Sequence, residues 1–189
     1  MLYYFVMYVT PGPNNAMVLT SGLKFGFQKT ITHIFGITFG HIIQLILVCF
    51  GLGQVFILFP DVQIVLKYIC AIYILYLGYK ILGSINPIID DGSRPLKLYE
   101  AALFQIVNPK AWTISSMAAS GFLQINDNLG IAILIIASTA LVICPLSITP
   151  WAMFGAAIRQ IVKNKNIKTI IEYSLALFLL ITAILIVYN

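Results

Sequence analysis

Long apolar runs and short polar interruptions alternate along the chain, with the runs lying near residues 2 to 22, 32 to 58, 62 to 82, 100 to 122, 129 to 154 and 170 to 188. Each run is about 20 residues or longer, which is what a helix rising 1.5 Å per residue needs to cross ~30 Å of hydrocarbon. The pattern predicts an all-α membrane protein with six transmembrane helices. The first run is read as a span and not as a signal peptide. It lacks a basic leading region and has no small-x-small cleavage site followed by a soluble domain.

One apolar run contains a strongly polar, helix-breaking hexapeptide, Thr10-Pro11-Gly12-Pro13-Asn14-Asn15. Pro11 and Pro13 lack N–H donors and disfavour helix in the residues before them, and Gly12 permits unusual backbone angles, so the helix is expected to unwind there. Asn14 or Asn15 is expected to cap the helix that resumes. Non-helical backbone at membrane depth survives only where it is buried in protein or lines a cavity. A second interruption is expected at Val107-Asn108-Pro109-Lys110-Ala111, where Asn108 precedes Pro109 as an N-cap precedes a proline at the first helical position. Each interruption lies about ten residues from its end of the membrane, roughly 12 to 15 Å deep.

The longest polar stretch, Ser84 to Lys97, reads as a linker. It divides a single transmembrane domain, 1–189, into repeat one at about 1–84, a linker at 85–98 and repeat two at about 99–189. Three spans per half force the second half to enter from the opposite side, which predicts two inverted three-helix repeats, with helices 1 and 4 broken near the midplane. Both restarted helices would aim positive N-terminal ends at the bilayer centre, an arrangement suited to a carboxylate.

Composition agrees: 60% of the residues are hydrophobic, 9% are charged, and mean hydropathy is +0.98, which excludes an ordinary soluble domain. The net charge of +5 comes from Lys and Arg at the edges of the runs, not from a nucleic-acid-binding patch. Lys24 and Lys29 mark the first loop, Lys80, Arg94 and Lys97 the third, and Arg159, Lys163, Lys165 and Lys168 the fifth. Odd loops are therefore expected to be cytoplasmic, and both termini outside. Cys49, Cys70 and Cys144 fall in spans without a C-x-x-C pair and read as packing residues. With two His and no P-loop, no metal, cofactor or ATP-driven transport is expected.

Several ordered motifs resemble the LysE/RhtB superfamily of amino-acid exporters. They are Thr10-Pro11-Gly12-Pro13-Asn14, Ser21 to Gly26, His33 to Gly40, Ala71 to Lys80, and Phe104 to Trp112. The resemblance implies a six-span secondary transporter that exports amino acids or related small metabolites, driven by the proton gradient or membrane potential. It also implies no enzymatic activity and a place in the cell (inner) membrane. Some relatives carry an acid after Pro-Gly-Pro where this chain has Asn14 and Asn15, so no carboxylate-based coupling is expected there.

The substrate-binding set is Pro11, Gly12, Pro13, Asn14, Asn15, Asn108, Pro109 and Lys110. Lys110 is an ionisable group at depth, read as the partner of a substrate carboxylate or as an internal counter-ion. His41 reads as a proton carrier or as a hydrogen-bonded interior group beside Gln44. Gly36 and Gly40 read as a close-packing pair, Tyr73 and Tyr76 as cavity or packing residues, Pro145, Thr149 and Pro150 as a flexible region that permits rocking or a static kink, and Glu100 and Glu172 as surface or N-terminal helix charges. The expected partners are a small-molecule substrate, an amino acid, the lipid bilayer and a second copy in a homodimer, with no nucleic acid. Alternatives are export of another solute or ion, an intramembrane enzyme using Ser115, Ser116, Ser120 and His41, or a structural subunit.

Overall fold

A computed structural model describes residues 1–52, 58–82, 94–123, 128–161 and 165–188. Among them the chain is all-helical: α1 (Leu2–Val9), α2 (Pro13–Phe25), α3 (Phe27–Leu47), α4 (Pro60–Ile81), α5 (Leu98–Val107), α6 (Pro109–Phe122), α7 (Leu129–Ile161) and α8 (Lys165–Tyr188). A wider π turn, Val48–Leu52, continues α3. Segments within α3, α4, α7 and α8 are long and apolar enough to cross a membrane; the four helices bounding the interruptions are individually too short. Residues 85–93 of the expected linker lie outside the described residues.

The ends of the helices follow local chemistry. Gly26 turns the chain from α2 directly into α3 at φ 84°, a conformation L side chains rarely adopt. As a result Lys24 and Lys29 lie in helices rather than in the loop expected between residues 22 and 32. α4 opens on Pro60, with Asp61 in its first turn and Lys80 in its last, each complementing the helix dipole. At α5, the Glu100 carboxylate accepts the Lys97 N–H at 2.8 Å and is clasped by the Arg94 guanidinium at 2.5 and 2.7 Å. Glu100 thus serves as the N-terminal helix charge expected of it, closing a capping box at α5. Glu172, expected at the surface, is 92% buried, because α8 turns that face inward. α7 runs unbroken through Pro145 and Pro150.

Two close helix crossings organise the packing. At α2 against α7, a Cβ on Gly22 would overlap the Ala152 carbonyl, and one on Gly155 would overlap that of Leu19. At α3 against α5, Gly36 and Gly40 meet Leu98, Ala101 and Ala102 in the same way, the role expected of this glycine pair. α3 packs on α7 between these crossings, and α4 packs on α8 beside them. The main core gathers Tyr8, Ile37, Leu45, Ile114 and Ile148 from α1, α3, α6 and α7. A second cluster joins α2 and α5 to the α4 and α8 pair through Met17, Cys70, Ile74, Phe104 and Leu179. Large apolar side chains such as Ile43, Ile72, Leu134, Leu146 and Leu177 point outward, as lipid contact requires.

Gly155→Ala is expected to destabilise the protein by about 1–3 kcal/mol through overpacking. Gly121→Ala, with nothing within 4 Å of its Cβ, should be neutral or mildly stabilising. Thermal unfolding of the two variants in detergent, side by side with the parent, checks the contrast.

Candidate substrate site at two helix interruptions

A proline inside a helix removes the hydrogen bond its N–H would give to the carbonyl four residues earlier, and that carbonyl then needs another donor. Pro11 leaves Met7 O, which accepts the Thr10 hydroxyl at 2.9 Å. Pro13 leaves Val9 O, which accepts the Trp151 indole at 3.2 Å and the Asn15 amide at 3.3 Å. The same Asn15 amide donates to Tyr8 O at 3.0 Å and Thr10 O at 2.7 Å. Pro109 leaves Gln105 O, which accepts Gln44 Nε2 at 3.0 Å from α3. Beside it, Ile106 O accepts the Trp112 indole at 2.8 Å. Side chains thus stand in for the backbone bonds that each interruption removes.

These substitutions correct one expectation and bear out another. Neither Asn14 nor Asn15 caps α2: Gly12 occupies the N-cap position in extended backbone and makes no side-chain cap. Asn15 instead closes the end of α1, because carbonyls orphaned by two prolines lie within its reach. Asn108 does cap α6, its Oδ1 accepting the Lys110 N–H at 3.2 Å ahead of Pro109.

The two interruptions meet across the protein. Asn14 and Gln105 exchange reciprocal amide hydrogen bonds at 2.9 and 3.1 Å, and Asn108 Nδ2 approaches Gln105 Oε1 at 3.4 Å. Lys110 reaches back from α6 to the end of α1, with its Nζ donating to Thr10 O at 2.6 Å, Thr10 Oγ1 at 2.8 Å and Pro11 O at 3.2 Å. A cation on the carbonyls ending a helix complements the negative end of its dipole. Gly12 makes this reach feasible, since a Cβ there would lie 2.7 Å from Lys110 Cδ.

Two cavities share Gly12 and Lys110. The smaller, about 20 Å³, is walled by Asn14, Asn15, Asn108 and the fully buried His41, together with Tyr8 and Cys144. It has room for about one water. His41 meets the Tyr8 ring edge-on at 5.3 Å; His41 Nε2 and the Tyr8 hydroxyl have no hydrogen-bond partner among the described residues. The larger cavity, about 300 Å³, is lined by Pro11, Pro13, Pro109, Thr113 and, from α4, Lys67. Each residue of the expected substrate set, and His41, lines one or both cavities. Gln105, Trp112 and Trp151 were not expected there, and Gln44, expected beside His41, was not expected to serve Gln105 O. Counting four residues back from each proline identifies the carbonyls needing donors, but not which distant side chain supplies them.

The arrangement offers ammonium, amide and helix N-terminal N–H donors with no carboxylate in the lining among the described residues, which suits an anionic group. Among the described residues no group of three His, Cys, Asp or Glu is placed to hold a metal ion.

Comparison with known proteins is consistent with this chemistry. The family model described as LysE type translocator matches residues 5–189. The chain is 29% identical over 141 residues to a cysteine/O-acetylserine efflux protein of Salmonella typhimurium (strain LT2), covering 70% of this chain and 71% of the relative. It is 30% identical over 123 residues to the protein of that description from Escherichia coli (strain K12), covering 64% and 62% respectively. No solved structure matches the chain.

Asn15→Ala removes one amide from three carbonyls and is expected to cost about 1–3 kcal/mol of stability. A double-mutant cycle of Asn14→Ala and Gln105→Ala should give a coupling of about 0.5–2 kcal/mol, measured by thermal unfolding in detergent.

Proposed function

The chain belongs to the LysE type translocator family, and from that premise we propose that it is a secondary active exporter of amino acids or closely related small metabolites. In this reading it is a multi-pass protein of the cell (inner) membrane with the basic loops cytoplasmic and both termini outside. α1 with α2 and α5 with α6 each count as one interrupted span, giving six spans in two inverted three-helix repeats. The pattern of packing supports that symmetry: α1 and α2 lie against α7, their counterparts α5 and α6 lie against α3, and α4 pairs with α8.

The observation that carries the proposal is the Lys110 ammonium crossing from one interruption to the helix end at the other. A substrate carboxylate competes with Thr10 O and Pro11 O for that ammonium, and the first-turn N–H groups of α2 and α6 supply further donors. Binding would thereby loosen the junction between the two halves. The cavity of about 20 Å³ is too small for an amino acid, so substrate is read as meeting Lys110 from the cavity of about 300 Å³ walled by α4 and α8, with that pair moving to widen the path. The relatives' efflux of cysteine and O-acetylserine suggests a small neutral amino acid as substrate.

His41 is proposed as the proton-coupling group. It is buried, its Nε2 lacks a partner among the described residues, and the titratable groups around its cavity are Tyr8 from α1, Lys110 from α6 and Cys144 from α7. Among the described residues no carboxylate lines this cavity.

Efflux of labelled amino acids from proteoliposomes holding the purified chain, with and without a proton gradient, tests the reading. Lys110→Ala, Asn14→Ala and Asn108→Ala should each cut efflux at least tenfold while the protein stays folded; unaltered flux in all three removes the site. His41→Gln should abolish stimulation by the gradient yet keep substrate exchange, and a His41→Gln protein that still responds to the gradient would refute its coupling role.

A further inference from the structure

Lys67 lies inside the third apolar run, 62 to 82, away from the basic residues that mark the loops. It stands seven residues past Pro60, two turns into α4, so it complements neither end of the helix dipole. An ionisable side chain inside a span is costly and by default functional. Facing lipid, it would snorkel toward the interface. Lys67 is instead half-buried and lines the cavity of about 300 Å³ that Lys110 also lines. That cavity reaches the lower end of the ~300–1,000 Å³ range of small-molecule sites.

The two lysines are held differently. Lys110 gives its ammonium to Thr10 O, Thr10 Oγ1 and Pro11 O. Lys67 makes no hydrogen bond or ion pair among the described residues, and no Asp or Glu among them lines the cavity. Asp61 lies on another face of α4, Glu100 pairs with Arg94, and Glu172 precedes Thr182 by ten residues, about 15 Å along α8. The hydroxyl hydrogens of the lining are committed, Thr113 to Pro109 O at 3.1 Å and Thr182 to Phe178 O at 2.8 Å. The charged donors of the cavity, among the described residues, are therefore its two ammonium groups. A neutral amino acid brings one carboxylate, which answers one lysine and leaves the other unmatched. A second carboxylate answers both, each with the strength of a charge-assisted hydrogen bond.

Resting on the exporter reading, we propose that Lys67 is a specificity-determining residue that recognises a second acidic group, so that small acidic amino acids of aspartate size are bound in preference to neutral ones. The α-carboxylate draws Lys110 from the end of α1, the released Thr10 O and Pro11 O accept the α-ammonium, and the side-chain carboxylate meets Lys67. Serine makes the first two contacts and lacks the third. A cationic side chain meets Lys67 as a like charge and is rejected.

Binding of serine, aspartate and ornithine by calorimetry, and their efflux from proteoliposomes, tests this assignment. The wild type should bind aspartate at least fivefold more tightly than serine and should not bind ornithine. Lys67→Gln should bring the ratio of aspartate to serine affinity to within twofold of one, and Lys67→Arg, which keeps the charge, should retain most of the preference. A general loss of structure would lower both affinities and leave their ratio unmoved. Lys67→Glu should weaken aspartate binding at least tenfold and bring ornithine into the accepted set. A wild type that exports serine without preferring aspartate, or a folded Lys67→Gln protein that keeps the preference within twofold of wild type, overturns the proposal and leaves the exporter reading standing. Wild-type protein that binds aspartate in this Lys67-dependent way without exporting any amino acid overturns the exporter reading and leaves the site standing. Absence of both binding and efflux overturns both.

Discussion

The protein depends on replacing the hydrogen bonds that proline takes from a helix. In water a carbonyl orphaned by proline finds a solvent partner; in a bilayer it has none, and leaving it bare costs several kcal/mol. Pro11, Pro13 and Pro109 orphan Met7, Val9 and Gln105, and each of those carbonyls meets a side-chain donor. Several of these donors come from far along the sequence: Trp151 on α7 serves α1, Gln44 on α3 serves α5, and Lys110 on α6 serves the residues that end α1. The interruptions are thus stable only when the two halves are assembled. The Gly22, Gly155, Gly36 and Gly40 crossings bring the backbones close enough for that assembly.

The same requirement gives the site its chemistry. Donors gathered to satisfy helix ends are also donors that an anion can claim, and a helix end is an acceptor that releases its partner when a stronger one arrives. Lys110 stands at that exchange point, with carbonyls on one side and a cavity of about 300 Å³ on the other. Asn14 and Gln105, locked in reciprocal hydrogen bonds, hold the interruptions in register. In this account, transport uses bonds the fold already needs and exchanges their partners.

The helical class, the two interruptions and the packing role of Gly36 and Gly40 were legible in the sequence because they follow from local properties: run length, proline chemistry and spacing along one helix face. Asn108 before Pro109 is legible for the same reason. The use of Asn15 was not, since capping α2 and closing α1 are both within reach of one amide, and only the folded geometry decides. Gln105, Trp112 and Trp151 were missed, and Gln44 was placed beside His41 but not at Gln105 O, because polar groups in apolar runs do not announce their partners; those partners are set by helix crossings. Glu172 turned inward on α8 for a similar reason. The one-residue turn at Gly26 hid behind two lysines that look like a loop but lie in flanking helices.

The central claim is that the Lys110 ammonium is held by the end of α1 and surrenders that hold to substrate. The most direct measurement is nitrogen-15 NMR of the lysine ammonium groups in the wild-type protein, with Lys110→Arg used to assign the signal. The account predicts one signal, missing in Lys110→Arg, that exchanges slowly with water and shifts when the exported amino acid is added. A Lys110 signal that exchanges as fast as those of the surface lysines and does not move with substrate would contradict it.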